Sequence, residues 1–268
     1  MRLDIYLAKK SLAPSRSAAQ ALIKEGKVKV AGTVADKPSL EIDEDHPCEI
    51  EITENLRYVS RGALKLERAL DYFKIDVRDL VCVDVGASTG GFTDLLLQRG
   101  AKKVFALDVG SDQLAQKLRE DKRVVSIERF NARELSPEVL GEICDIAVMD
   151  VSFISQKLLF APVLSVLREG GTFIALIKPQ FECGDDRKKY LSKGGIVKSP
   201  QAHEAIISSV IEEARKCCFY CEDLITSPIK GGDGNIEYLA LYRKNKVSHL
   251  SPGKIKEVVS ASHKQTPI

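Results

Sequence analysis

The sequence predicts an α/β chain in which a doubly wound, mostly parallel sheet follows a small N-terminal α+β domain. Three observations carry this. From residue 80 onward, strand-length apolar runs alternate with helical periods, the pattern of repeated βαβ units. Those runs are continuously apolar, as strands covered on both faces must be. A glycine-rich turn, DVGASTGGF over 84–92, closes the first of them, where such a sheet opens its ligand crevice. With 268 residues and 44% hydrophobic content, the chain can bury a full core and a satellite domain, which excludes a disordered or fibrous protein.

In chain order, Ile5, Leu7 and Leu12, then Ala18, Leu22 and Ile23, recur at helical spacing. Pro14 separates the two helices, and Ser15 or Ser17 can cap the second. Val28, Val30, Ile42, Ile50 and Ile52 then suggest short strands separated by Gly32 and acidic turns over 41–54. After a helix at 63–73, strands are expected at 80–84, 103–108, 124–127, 143–150 and 172–178. Helices are expected between and beyond them at 92–99, 111–120, 156–167 and 202–216. Two last strands, 217–224 and 236–242, are joined by the turn-rich SPIKGGDGN and suit antiparallel closure. The domains read as 1–60, an RNA-binding-like module with its linker; 61–245, the α/β body; and 246–268, a C-terminal tail.

Forty Lys and Arg against thirty-eight Asp and Glu give a net charge of +2, so any polyanion-binding surface must be local. Such a surface is concentrated at the front. Arg2, Lys9, Lys10, Arg16, Lys24, Lys27, Lys29 and Lys37 face only Asp4, Glu25 and Asp36 there, a composition suited to the phosphates of RNA or to another polyanion. Seven cysteines and a start, MRLDIYLAKK, without an apolar leader indicate a reduced, cytoplasmic protein. The apolar runs fall well short of the roughly 20 residues that span a bilayer, so no stable membrane association is expected. In CCFYC, Cys217, Cys218 and Cys221 lack the partners of a tetrahedral site, and buried reduced thiols are the better reading; no metal is expected.

The glycine turn lacks the lysine of a phosphate-binding loop and is not a clean dinucleotide fingerprint, which ranks a nicotinamide oxidoreductase low. A turn led by its own acid, Asp84, suits a ligand with a cationic amino-acid end and a nucleoside end, and so points to S-adenosylmethionine. Gly86 and Gly90 let the backbone approach such a ligand and Ser88 can donate to it. Asp108, ending the next strand, is placed for ribose hydroxyls, and Asn131 for adenine. Asp150 and Lys178 end neighbouring strands and face the same crevice.

YVSRGALKLERAL, DVGASTGGF, ALDVG, VMDVSFIS, LIKPQFE and GNIEYLALYR together resemble the TlyA family of ribosomal RNA 2'-O-methyltransferases, formerly labelled haemolysins. Their catalytic domain is similar to the FtsJ class, a Rossmann-like methyltransferase fold. The front, LDIYLAKKSLAPSRSAAQALIKEGKVKVAG, resembles the alpha-L RNA-binding module. The resemblance implies a catalytic tetrad of Lys65, Asp150, Lys178 and Glu237, with S-adenosylmethionine as cofactor and ribosomal RNA or a ribosomal subunit as partner. It also implies methyl transfer to a ribose 2'-hydroxyl. The short N-terminus resembles a subtype that acts on cytidine in large-subunit RNA. Lys178 serves there as general base or by orienting the hydroxyl. Arg61, beside Lys65, and the lip Arg187, Lys188, Lys189 and Lys193, with paired glycines behind it, are further candidate RNA contacts. A non-catalytic ribosome-assembly factor is the competing reading, and a membrane-lytic one lacks a suitable segment.

Overall fold

The structure, a computed structural model, describes residues 1–10, 12–43, 49–52, 57–231, 233–247 and 249–264. Half of the acidic stretch expected over 41–54 therefore lies outside the described residues.

The front domain packs α1 (Leu3–Lys9) against α2 (Arg16–Lys24) and a three-stranded antiparallel sheet of β1 (Val28–Val30), β2 (Thr33–Val34) and β3 (Ile50–Ile52), in the order β2-β1-β3. Leu3, Leu7, Leu22, Ile23 and Val28 form its core. Ser15 caps α2 by accepting from the Ala18 amide at 3.1 Å. Leu12, expected on the apolar stripe, is instead 43% exposed, because it lies past the end of α1.

The body runs α3 (Ala63–Phe73), β4 (Val81–Val85), α4 (Gly91–Gln98), β5 (Lys103–Leu107), α5 (Gln116–Arg119), β6 (Val124–Ile127), α6 (Pro137–Leu140), β7 (Cys144–Met149), α7 (Phe160–Val166) and β8 (Leu167–Ile177). It continues through α8 (Pro179–Glu182), α9 (Arg187–Tyr190), α10 (Pro200–Lys216), β9 (Phe219–Thr226), β10 (Tyr238–Lys244) and α11 (Lys254–Lys264). The seven strands order as β6-β5-β4-β7-β8-β10-β9. From β6 to β8 neighbours are parallel, and β10 runs antiparallel to both β8 and β9. Every residue of β4 is buried, with Val83 and Val85 in the core on one face and Cys82 in the core on the other.

The differences from the sequence reading have local causes. The helix expected over 111–120 shrinks to α5, because Asp112 takes a left-handed backbone (φ 56°) and gives its amide to Glu128 at 2.9 Å. The helix expected over 156–167 splits into a 3-10 turn, Gln156–Leu158, and α7, and Leu167 already belongs to β8. The expected tail contains α11, whose Val258 and Val259 join the main core. Cys218, expected to be buried, is exposed at a left-handed position (φ 60°) just before β9.

Candidate active site

Chain order leaves β4 for β5 on one side and returns to β7 on the other, so the crevice opens beyond the carboxyl ends of β4 and β7. At this edge the turn after β4 lies flat against the end of β7. Gly86 has φ 86°, and a Cβ there would sit 2.9 Å from the Asp150 carbonyl oxygen. That approach admits only glycine. Gly91, the first residue of α4, is pressed in the same way against Ser60 and Ala63 of the segment leading into α3.

Asp84 is fully buried in β4. Its Oδ2 accepts from the Thr93 hydroxyl at 2.7 Å, while Oδ1 has no hydrogen-bond partner among the described residues. Burial pushes this carboxyl up to about 7 against the opposing Thr93 bond, and the neighbouring Asp150 charge adds to the rise. A buried acceptor left unmatched at the wall of a cavity is a site awaiting a donor.

Four charges converge beside it. Lys65, on the inner face of α3, places Nζ 2.7 Å from Glu237 Oε2 and 3.3 Å from Asp150 Oδ2. Lys178 Nζ lies 2.6 Å from Asp150 Oδ1 and donates to Ser152 Oγ at 2.8 Å. The register explains the meeting of Glu237 and Lys178: Tyr238 pairs with Ile177, so the residues just beyond that pair share one sheet edge although their strands run oppositely. Gly231 makes room for the acid, since a Cβ there would lie 2.5 Å from Glu237 Oε1. Burial opposes the Lys65 charge, but the Asp150 and Glu237 carboxylates outweigh it and hold its pKa above the ordinary lysine value. Lys65 is therefore a fixed ammonium and not a base.

These groups line one cavity of about 1400 Å³. That exceeds the roughly 300–1,000 Å³ of a single small-ligand site, leaving room for two reactants. Lys65, Asp150, Lys178, Glu237, Asp84, Gly86, Ser88 and Arg61 all reach it. Gly90, Asp108 and Asn131 do not line it. Gly90 (φ 92°) turns toward Leu114 and Leu118. Asp108 accepts the Ser88 and Gly110 amides at 2.8 and 2.7 Å and so shapes the loop. Asn131 is exposed and accepts from the Arg133 amide at 3.2 Å to cap a 3-10 turn. Among the described residues no cluster of metal-ligating side chains occurs.

Sequence reasoning missed Ser152 and Phe153, two and three residues after Asp150. Phe153 is 92% exposed and holds a left-handed backbone (φ 64°), a state that costs a bulky residue on the order of 1–3 kcal/mol. Its ring packs on Phe181 at 5.1 Å. The signal was present as an aromatic residue three positions after a strand-end acid in VMDVSF. The SPIKGGDGN turn was read only as a connection, yet Ser227, Ile229 and Lys230 line the cavity.

The expected RNA-binding residues separate into two groups. Arg2 and Arg16 neutralise the buried Asp4, at 2.9 and 3.0 Å, and hold its carboxyl well below the usual range. Lys27 and Arg61 pair with Glu25, and Lys29 with Glu51. Lys9, Lys10 and Lys24 point outward from the front domain, and Arg187, Lys188, Lys189 and Lys193 stand exposed on and after α9.

A cavity at the switch point of a parallel sheet, lined by a buried acid and a lysine–carboxylate chain, defines a methyltransferase-type α/β enzyme. The FtsJ-like methyltransferase family matches residues 58–244, and the S4 domain matches residues 1–46. The chain belongs to the TlyA family: it is 38% identical to the 16S/23S rRNA (cytidine-2'-O)-methyltransferase TlyA of Mycobacterium tuberculosis over 99% of this chain and 98% of that one. It is also 46% identical to Hemolysin A of Brachyspira hyodysenteriae over 90% and 98% of the two chains. A solved hemolysin-named chain from Streptococcus thermophilus superposes with a TM-score of 0.78 at 42% identity, covering 98% and 96%.

Proposed function

We propose that this protein transfers the methyl group of S-adenosylmethionine to the ribose 2'-hydroxyl of a cytidine in ribosomal RNA, in the cytoplasm. The carrying observation is the buried chain Glu237, Lys65, Asp150, Lys178, which opens into the same cavity as the unmatched oxygen of Asp84. Asp84 Oδ1 suits the ammonium of the cofactor's amino-acid end, and Gly86 and Ser88 give it a close backbone wall. Bound there, S-adenosylmethionine supplies an electrophilic methyl group on a sulfonium.

The chain's own residues supply alignment. Lys65, held protonated, grips the target ribose and its phosphate, while Glu237 and Asp150 fix the direction of that ammonium. Lys178, steadied by Asp150 and Ser152, orients the 2'-oxygen so that a lone pair faces the reacting carbon. The hydroxyl would become strongly acidic as its oxygen bonds to the methyl carbon and the sulfur–methyl bond breaks, so its proton would pass to solvent water without a strong base. Phe153 offers a flat exposed face on which a base stacks. The outward lysines of the front domain and of the 187–193 lip hold the RNA backbone.

Labelled methyl transfer to separated ribosomal subunits, followed by nucleoside digestion, tests the reading. Ribose-methylated cytidine formed by the intact protein and not by Lys178→Ala is the expected result. No transfer by a folded, cofactor-binding protein would favour a non-catalytic assembly role.

A further inference from the structure

We infer that Glu182 is a positioning residue, which clamps the loop carrying Asp150, Ser152 and Phe153 onto the turn carrying Lys178 and Phe181. The inference rests on the methyl-transfer reading, because what it positions is the proposed transfer site. Glu182 is buried, one helical turn beyond Lys178, and never reaches the cavity. Its Oε2 accepts from the Ser155 hydroxyl and its Oε1 from the Gln156 amide at 2.8 Å. Burial raises its pKa, and the two bonds from the loop oppose that rise.

The loop and the turn thereby meet at both ends and between. At one end Lys178 takes Asp150 and Ser152; in the middle the Phe153 and Phe181 rings pack; at the other end Glu182 takes Ser155 and Gln156. Phe153 lies between the two fastened ends in its left-handed conformation. A strained, almost fully exposed residue keeps such a backbone only where its surroundings over-determine it. Its own side chain has little burial with which to do so. Releasing the Glu182 end frees Phe153 to relax toward ordinary backbone, and the motion draws on Asp150 and Ser152, both in contact with Lys178.

The chain contains no tryptophan, so Phe153→Trp supplies a single fluorescent reporter on the loop. In that background Glu182→Ala should lower the reporter's anisotropy, while Glu182→Gln, which keeps an acceptor for the Gln156 amide and a donor that the Ser155 hydroxyl can accept, should restore it. In the protein with Phe153 intact, Glu182→Ala should reduce kcat by about 100-fold, the scale of a misplacement near 1 Å, and Glu182→Gln should recover most of it. Cofactor affinity, measured calorimetrically, should fall by much less than kcat, because the bonds that Glu182 makes go to Ser155 and Gln156 and not to Asp84 or its turn. Should Glu182→Ala fail to fold, Ser155→Ala cuts one bond alone and should shift anisotropy and kcat in the same direction by less. Unchanged anisotropy overturns the clamp whatever happens to turnover. A loosened reporter with unchanged kcat, or cofactor affinity falling in step with kcat, overturns the positioning role. No methyl transfer by the unsubstituted protein overturns the functional reading, and the anisotropy arm then judges the clamp alone.

Discussion

Substituting Asp84 by Asn should make the ligand-free protein more stable while abolishing tight cofactor binding. The carboxyl rises from 3.8 to about 7 on burial, so the folded state holds a proton that the unfolded chain has released at intermediate pH. The sign follows. Below pH 3.8 both states are protonated and the penalty is absent; as pH climbs to about 7 the native protein loses stability relative to an uncharged side chain; above that the loss is complete. At about 1.4 kcal/mol per pH unit the gap amounts to about 4 kcal/mol. Asn keeps an acceptor for the Thr93 hydroxyl but turns an amide toward the unmatched side, returning about 1–3 kcal/mol. Urea unfolding of the ligand-free protein at pH 5 and pH 8 should therefore show Asn gaining about 1–3 kcal/mol at pH 8 and progressively less toward pH 5. S-adenosylmethionine affinity should fall about 100-fold, because the buried charge that meets its ammonium is gone. A stability difference that stays flat between the two pH values would refute the reasoning, since it would mean that Asp84 carries no burial penalty for the ligand to relieve.

Lys65→Met should destabilise the protein by about 3–5 kcal/mol by stranding the buried Glu237, while Asp150 keeps Lys178, and adding Glu237→Gln should recover much of that stability with no activity, as read by urea unfolding beside methyl transfer. His203 is fully buried and pushed down to about 4 by burial, with Nε2 against the Val197 carbonyl and Nδ1 against the Tyr238 hydroxyl. Stability present above pH 6.5 should drop by up to about 3 kcal/mol as pH falls to 4, and a His203→Asn variant should lack that slope. In the front domain Arg16→Ala should lower thermal stability by uncovering Asp4, whereas Lys24→Ala should leave stability intact and shrink the salt dependence of RNA binding by about one counterion.

The fold was legible where local rules and burial agree. Continuous apolar strands such as β4 have no competing conformation, and the glycine turn after them could be placed from spacing alone. The sequence failed where a side chain competes with the helix ladder: Asp108 and Asp112 organise the stretch before α5 into turns that helical periodicity cannot reveal. The loop role of Asp108 was hidden for the same reason: an acid at a strand end can serve a ligand or its own loop, and here it accepts two loop amides. Charge counting had a similar limit. It could not show that Arg2 and Arg16 also neutralise Asp4, which is buried beneath them. The convergence of Lys65 and Glu237 was invisible to spacing, since it depends on β10 running back beside β8.

That convergence also bears on why an S4 domain is joined to this body by so short a connection. The segment entering α3 is held from both sides. The Ser15 hydroxyl, while capping α2, donates to the Val59 carbonyl, and the Val59 amide donates to Asp94 of α4 at 2.8 Å. Two residues later Arg61 returns to Glu25 at the end of α2, and Ser17 and Ala21 of the same helix form part of the cavity wall. Lys65 follows on α3, and Gly91, which opens α4, has no room for a side chain against Ser60. The front domain, the lysine of the charge chain and the helix behind the glycine turn therefore share one strip of backbone, residues 59–65. A displacement of α2 by bound RNA would be transmitted through packed atoms to Lys65 and to α4 together. The S4 domain thus forms part of the cavity wall that also carries the charge chain.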